Sequence, residues 1–418
     1  MVQNRLNAID GHFGANSNYN GGQVGPKRDD DVVIIGMART AMTKAKRGAQ
    51  KDTPLEAMLK PVLEATIKQS GIDAKEVEEV IIGNVLAPGC AATNIRMSMF
   101  LAGIPHTASC QGINRMCSSG LQSVASIANA IKAGNIQVGI GGGVESMSHY
   151  DMMGQVEPDF LSEQVFENPG AQNCLLGMGI TSENVAAKYG ITREVQDNFA
   201  VHSHAKAVAA EKDGRLRSEI TPYKTIVKDK EGNEKEVLVD RDEGMRADVT
   251  FERLSKLKPA FQKDGSTTAG NASQLTDGAA CVMLTSRAHA AKLGAKVLGR
   301  IVSFATAGVP PEIMGIGPAF AIPAALKKAG LEVKDIDVFE INEAFASQAS
   351  YCGGALNVPA EKTNPRGGAI ALGHPLAMTG ARMINTLFSE LQHSNKKFGL
   401  VSMCIGTGMG ACGVFERE

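Results

Sequence analysis

The chain has 418 residues, 43% of them hydrophobic and 21% charged, enough to bury a large core divided into two or three domains. Forty-three basic residues against 44 acidic ones leave a net charge of −1, which excludes the basic stripe of a nucleic-acid binder or a polybasic membrane contact. No apolar run approaches the roughly 20 residues of a membrane span. The eight cysteines are scattered without a CxxC, so free thiols in a reducing compartment are expected.

Residues 1–30 include GHFGANSNYNGGQVGPKRDDD, polar and rich in Gly and Asn, and a flexible leader is expected there. Within it, RLNAIDGHF sets Leu6, Ile9 and Phe13 on one helical face beside Arg5 and His12. From residue 31 short β-branched runs alternate with helical patterns, the mark of an α/β fold. DVVIIG (31–36), EEVIIGN (78–84) and VGIGGG (138–143) read as buried strands, with LEAMLKPVLEATIKQSG (55–71) as a helix between them. From residue 296 the order returns. VLGRIVSFATAG (297–308) and IDVFEIN (336–342) read as strands and PAFAIPAALKKAG (318–330) as a helix. A turn and helix follow in GHPLAMTGARMINTLFSEL (373–391), then a strand and loop in FGLVSMCIGTG (398–408).

The spacings repeat too. Asn84 to Cys117 is 33 residues and Asn342 to His374 is 32; Cys117 to Glu145 is 28 and His374 to Cys404 is 30. A duplicated α/β unit is expected, one copy carrying a cysteine where the other carries a histidine. The expected division is a first half over 31–147 plus about 271–295, an excursion over 148–270, and a second half over 296–418. The excursion is richer in charge and irregular segments such as KDKEGNEKE, and segments of that kind cover binding sites.

Four short segments join glycine to reactive side chains: NRMCSSG, NEAFA, GHP and CIGTGMG. Cys117 stands just before a helix whose Leu121, Val124, Ala125, Ala128 and Ile131 recur at helical spacing. Orphan N–H groups and the macrodipole favour a thiolate at such a position. From this stretch alone a nucleophile and a structural thiol are both open. Cys404 is open to the same two readings, but Gly406, Gly408 and Gly410 behind it pack nothing and free the backbone to approach a ligand. GMGACG (408–413) fits GxGxxG, yet only five residues follow, too few for the helix that would hold a pyrophosphate. The cysteines and histidines lack metal-ligand spacing.

The motifs NRMCSSGL, GVESMS, GMGITSENVA, TTAGNASQLTDGA, GVPPEIMGIGPA, FEINEAFA, NPRGGAIALGHP and SMCIGTGMG stand in the family order of the thiolases, and the chain resembles that family from residue 31 on. The resemblance is strongest to its peroxisomal 3-ketoacyl-CoA branch. It implies a layered αβαβα core built from two similar halves, with an inserted loop domain over the coenzyme A site. It also implies thiolytic cleavage of a 3-oxoacyl-CoA by CoA, an acyltransferase reaction that closes a β-oxidation cycle. The alternatives are a short-chain acetoacetyl-CoA thiolase working in the condensing direction and a non-catalytic acyl-CoA carrier. No permanently bound cofactor is implied, and CoA enters as co-substrate.

By resemblance Cys117 is the nucleophile, His374 its activating base, and Cys404 the general acid that protonates the enolate and then the base that takes the proton of the incoming CoA thiol. Backbone N–H groups of Cys117 and Gly406 serve the acyl oxygen, and His374 with a water held by Asn342 serves the enolate oxygen. Glu343 is read either as orienting the NEAF turn or as acting directly. Arg246 is assigned to the CoA nucleotide, Ser273 and Met178 to the pantetheine path, and Arg253, Lys256 and Lys258 to a solvated basic rim. Cys174, four residues before Met178, is read as core or as a redox partner of Cys117. GHPLA carries Ala377 where the family has Gly, and Gly177 stands where biosynthetic members carry His, which favours longer acyl chains. RLNAIDGHF resembles the N-terminal peroxisomal import signal, with Phe13 in place of Leu or Ala. The resemblance therefore implies a peroxisome, glyoxysome or related microbody, an import receptor as partner and a homodimer.

Overall fold

The computed structural model describes residues 24–152 and 156–418, so Arg5, His12 and Phe13 lie outside the described residues. The leader expected over 1–30 does not extend to residue 30. The Val24 N–H donates to the Ala329 carbonyl at 3.2 Å, Arg300 donates to the Gly25 carbonyl at 2.9 Å, and Lys132 pairs with Asp30 at 3.0 Å. Polar backbone and acidic side chains there find partners in both halves of the protein.

The strands are β1 (Val32–Arg39), β2 (Thr43–Lys44), β3 (Glu79–Gly83), β4 (Ser109–Ile113), β5 (Val138–Glu145), β6 (Tyr223–Lys228), β7 (Glu234–Val239), β8 (Thr276–Ser286), β9 (Gly299–Gly308), β10 (Val338–Ile341), β11 (Phe398–Ile405) and β12 (Met409–Arg417). Their order across the main sheet is β4-β3-β5-β8-β1-β9-β12-β11-β10, with β2 beside β8 and β6–β7 as a separate hairpin. The seam is the antiparallel pair β1–β9, where Val33 faces Arg300 and Ile34 faces Gly299. On each side of it the same plan unfolds. β3 and β5 are parallel, as are β10 and β11, while β8 returns antiparallel to β5 and β12 to β11. Parallel neighbours require a crossover, and here helices supply it.

The longer helices are α1 (Leu55–Ser70), α2 (Ala92–Leu101), α3 (Ser119–Lys132), α4 (Met178–Tyr189), α5 (Arg193–Lys212), α6 (Gly317–Ala329), α7 (Ala346–Ala355) and α8 (Leu376–His393). Helices α3 and α8 form a middle layer. Leu121, Val124, Ile127, Ile384, Leu387 and Leu391 share one buried cluster with Ile34, Ile81 and Val282 of the first half and Val401, Met403 and Phe415 of the second. Each such side chain contributes about 1.5–3 kcal/mol on burial. α1 and α2 cover the outer face of the first half and α6 that of the second. The layers thus run helix, sheet, helix, sheet, helix.

The excursion is more regular than its composition suggests, since it contains α4 and α5. α5 buries Gln196, Ala200, Ser203, His204, Ala207 and Ala210. A buried face of alanine and short polar residues leaves no hydrophobic period to read. All of GMGACG after Gly408 lies in strand β12, so the motif runs into a strand and does not open a helix.

Candidate active site

Cys117 and His374 occupy matching places, each two residues before a middle-layer helix, α3 from Ser119 and α8 from Leu376. The heads of these helices meet at close range. A Cβ on Gly120 would fall 2.2 Å from the Ala377 carbonyl oxygen, and one on Gly143 would fall 2.0 Å from it. Only glycine fits at both points. The first half's cysteine and the second half's histidine are thereby drawn to one place.

The reactive loops share a backbone feature. Met116, just before Cys117, has φ 46°, Gly373, just before His374, has φ 112°, and Thr407 and Gly408, behind Cys404, have φ 66° and 92°. For a non-glycine residue this left-handed region costs on the order of 1–3 kcal/mol, a strain that clusters at functional sites.

His374 is buried, and its ring is held at both nitrogens. Nδ1 lies 2.6 Å from Thr379 Oγ1 and Nε2 lies 3.3 Å from Asn342 Nδ2. With the Asn342 NH2 facing Nε2, a group that can only donate, the network assigns the proton to Nδ1 and leaves the Nε2 lone pair as the acceptor. Burial, with the positive charge of Arg382 adding to it, pushes the His374 pKa down to about 3. These effects favour the neutral imidazole, with its Nε2 lone pair free. Asn342 Oδ1 is buried and meets no protein donor.

Cys117 is partly buried and packs against the cluster of Val85, Leu86, Met147, Leu376 and Ala377. Burial stands against the helix-terminal activation expected of its thiolate. Burial drives the thiol up to about 11, against the Gly406 and Cys117 backbone N–H groups, and the Glu145 charge raises it further. Desolvation of the ionised sulfur outweighs two N–H dipoles.

Cys404 lies in β11, fully buried with Met314, Ala344 and Phe345, and Met178 packs against this group. Its thiol is held well above the usual range, first by burial and next by the neighbouring Cys117 charge. Gly406 sits between two methionines, since a Cβ there would lie 3.7 Å from Met116 Cγ and from Met178 Sδ. Cys117, Cys404, Gly406 and Met178 therefore meet in one place; the Asn342–His374 pair is tied to it by the Asn342 N–H, which donates to the Ser402 carbonyl of β11 at 2.9 Å, and by Leu376, two residues after His374, which packs in the cluster that Cys117 touches.

Glu343 faces the scaffold. Its carboxylate accepts from Ser203 Oγ at 2.6 Å, Asn364 Nδ2 at 2.8 Å and the Ile370 N–H at 3.2 Å. It ties the NEAF turn to the loop leading into His374. Ser273 is partly buried and donates its N–H to the Ala344 carbonyl at 3.0 Å. Arg246 is exposed, and its N–H donates to His204 Nδ1 at 3.1 Å. Gln274 joins these parts: its amide donates to the Gly244 and Ile370 carbonyls at 3.0 and 2.9 Å, and its own carbonyl accepts the His374 N–H at 2.9 Å. On the expected rim, Lys256 and Lys258 are exposed and Arg253 pairs with Asp248. Cys174 is a free thiol turned to the Gly170 carbonyl at 3.4 Å, and Cys117 is free as well. Ala377 is the second residue of α8 and has no positive φ, so its backbone does not demand glycine. Thr379, Gln274 and Glu145 were not singled out as site residues from the sequence: Glu145 and Gln274 stand within quoted motifs and Glu145 marks a repeat spacing, but what each one holds is a tertiary relation.

Two halves of one topology, meeting head to head with a cysteine and a histidine in equivalent loops, define a thiolase-type fold and site. The chain belongs to the thiolase family: residues 32–288 match the thiolase N-terminal domain and residues 295–417 the thiolase C-terminal domain. It is 51% identical over 387 residues to the human peroxisomal 3-ketoacyl-CoA thiolase, covering 92% of this chain and 91% of that one. The peroxisomal 3-ketoacyl-CoA thiolase of Yarrowia lipolytica is 53% identical over 392 residues, 94% of each chain. Among solved structures, the dimeric peroxisomal thiolase of Saccharomyces cerevisiae aligns with TM-score 0.86 at 48% identity, over 94% of this chain and 99% of that one. A further structure of the yeast peroxisomal 3-ketoacyl-CoA thiolase, TM-score 0.76 at 42% identity, is described as five α-β-α-β-α layers made of two core domains of identical topology. The layering found here is the same.

Proposed function

We propose that the protein is a 3-ketoacyl-CoA thiolase of the peroxisome, cleaving 3-oxoacyl-CoA with CoA to acetyl-CoA and a shortened acyl-CoA. The observation that carries the reading is the meeting of Cys117, Cys404 and Gly406 beside the Asn342–His374 pair, residues contributed by both halves. Cys117 Sγ attacks the 3-oxo carbon as His374 Nε2 takes the thiol proton. The C2–C3 bond then breaks, leaving an acyl-Cys117 and an acetyl-CoA enolate. Cys404 gives the enolate its proton, regains one from the incoming CoA thiol, and the CoA sulfur displaces Cys117 from the acyl group. The Gly406 and Cys117 N–H groups stabilise the acyl oxygen, and His374 with a water on Asn342 stabilises the enolate oxygen, each donor contributing about 3 kcal/mol.

The 148–270 excursion is read as the cover of the CoA site, with Arg246 toward the nucleotide and Ser273 and Met178 along the pantetheine. A Cβ on Gly177 would meet nothing within 4 Å, so the space beside Met178 is open. That supports admission of longer acyl chains. Residues 1–13 are read as the signal for an import receptor. A homodimer is supported by the unpaired edge of β4, next to exposed Met97, Phe100 and Leu101 of α2. The test is thiolysis of a 3-oxoacyl-CoA series from short to long chains. Turnover extending to long chains is expected, and activity confined to acetoacetyl-CoA would overturn the reading.

A further inference from the structure

Glu145, the last residue of β5, is fully buried beneath the cluster against which Cys117 packs. Four donors converge on its carboxylate. Asn84 Nδ2 and the Leu86 N–H donate to Oε1 at 3.2 and 3.1 Å, and the Val85 and Ala377 N–H groups donate to Oε2 at 3.1 and 3.2 Å. The first three belong to the loop after β3. That loop holds the cysteine loop in turn: the Val85 carbonyl accepts from Asn114 Nδ2 at 3.3 Å, and Asn114 Oδ1 accepts the Met116 N–H at 2.8 Å. The fourth donor lies in the first turn of α8, three residues after His374.

We propose that Glu145 is a positioning residue that sets the geometry between Cys117 and His374. A single carboxylate grips the loop supporting the nucleophile and the helix that begins just beyond the base. The two catalytic groups come from different halves, so their relative position has no covalent guarantee. Burying an acid for this purpose carries a cost that an apolar contact would avoid. Burial lifts the Glu145 pKa to about 7, opposed by the Ala377, Leu86 and Val85 N–H groups and assisted by the nearby Asp277 charge. The other titratable groups facing this region are Cys117, on which Glu145 acts, and His149, which faces Asp277. A carboxylate accepts from four N–H donors at once, whereas an amide turns its NH2 toward two of them. Its charge has a second effect, helping to keep Cys117 protonated at rest.

The inference rests on Cys117 being the acylated residue, and the experiment separates the two. Full-length wild type, Glu145→Gln and Glu145→Asp are mixed rapidly with 3-oxoacyl-CoA, and acyl-Cys117 is followed by peptide mass. The pH dependence of Cys117 alkylation by iodoacetamide is measured in parallel. Glu145→Gln should acylate slower by about a hundredfold, the effect of misplacing a reacting group by roughly 1 Å, with KM for CoA little changed. Its alkylation profile should move to lower pH. Glu145→Asp keeps the charge but not the reach, so its alkylation profile should stay in place while acylation slows. Acylation of Glu145→Gln at the wild-type rate overturns the proposal. If that variant does not fold, wild-type acylation by Glu145→Asp overturns it instead. No acyl group on Cys117 in wild type would mean that the thiolase assignment of the nucleophile has failed.

Discussion

Thr379 Oγ1 lies 2.6 Å from His374 Nδ1, both groups buried, one turn into the helix that His374 precedes. The hydroxyl oxygen accepts a hydrogen bond from Nδ1–H and so favours the tautomer that leaves Nε2 unprotonated. Fixing a tautomer through the second nitrogen is a common device, and by analogy with the partners of metal-bound histidines its loss should cost about 10–100-fold in activity. Thr379→Val keeps the shape and removes the acceptor, so the acylation rate should fall by about that factor with KM nearly constant. Thr379→Ser should restore most of it. Equal activity in the Val and Thr enzymes would show that the hydroxyl only packs.

The state of Cys117 gives a second expectation. Its pKa is raised to about 11 by burial, so the thiolate is a small fraction near neutral pH. Below that pKa the fraction rises about tenfold per pH unit. Alkylation of Cys117 should therefore keep climbing through pH 9 without the plateau of an ordinary thiol. Because His374 is held neutral, with a pKa lowered to about 3, it contributes no stabilising charge to a resting thiolate. His374→Ala should leave the alkylation profile nearly in place while abolishing acylation. A plateau near pH 7 in wild type, lost in His374→Ala, would instead reveal a thiolate–imidazolium pair.

Much of this was legible in the sequence because it depends on pattern. β1, β3, β5, β10 and β11 announce themselves as β-branched runs, and the spacing from Asn84 to Cys117 and Asn342 to His374 exposes the duplication. α5 was not legible because its buried face is alanine, serine, glutamine and histidine. The positions of Thr379 and Glu145 near the site depend on which elements pack together, a tertiary relation with no local trace. The burial that opposes ionisation of Cys117 is hidden from the sequence for a related reason. The helix terminus is visible in the residues, whereas burial is not.

Arg39 is fully buried and pairs with both oxygens of Asp242 at 2.9 Å and with Glu219 at 3.1 Å, tying β1 to the excursion. Glu219 also accepts from Arg366 at 3.2 Å and Thr386 at 2.7 Å. Removing one partner leaves buried charge uncompensated, which costs about 3–5 kcal/mol. Arg39→Met should lower stability in chemical denaturation by that amount. Arg39→Met combined with Asp242→Leu should cost less than the two single changes together, since the pair is removed as a unit. Strict additivity would mean that the ion pair is not energetically coupled.

The N-terminal segment supplies the last expectation, because contact with the fold reaches back to Val24. Its N–H meets the Ala329 carbonyl, Gly25 receives Arg300, Lys27 pairs with Glu418, and Asp30 pairs with Lys132. These contacts span both halves near the seam where β1 meets β9. Each backbone hydrogen bond contributes about 1 kcal/mol and each partly exposed ion pair about 0–1 kcal/mol. A protein lacking residues 1–30 should therefore unfold more readily than one lacking only 1–23, by about 2–3 kcal/mol in a denaturant titration. Import is a separate property and should depend on the earlier residues. A reporter carrying residues 1–30 should enter peroxisomes, and Arg5→Ala or His12→Ala should leave it in the cytosol. Equal stability of the two truncations would mean that residues 24–30 merely lie on the surface. A reporter indifferent to both substitutions would remove the import reading of RLNAIDGHF.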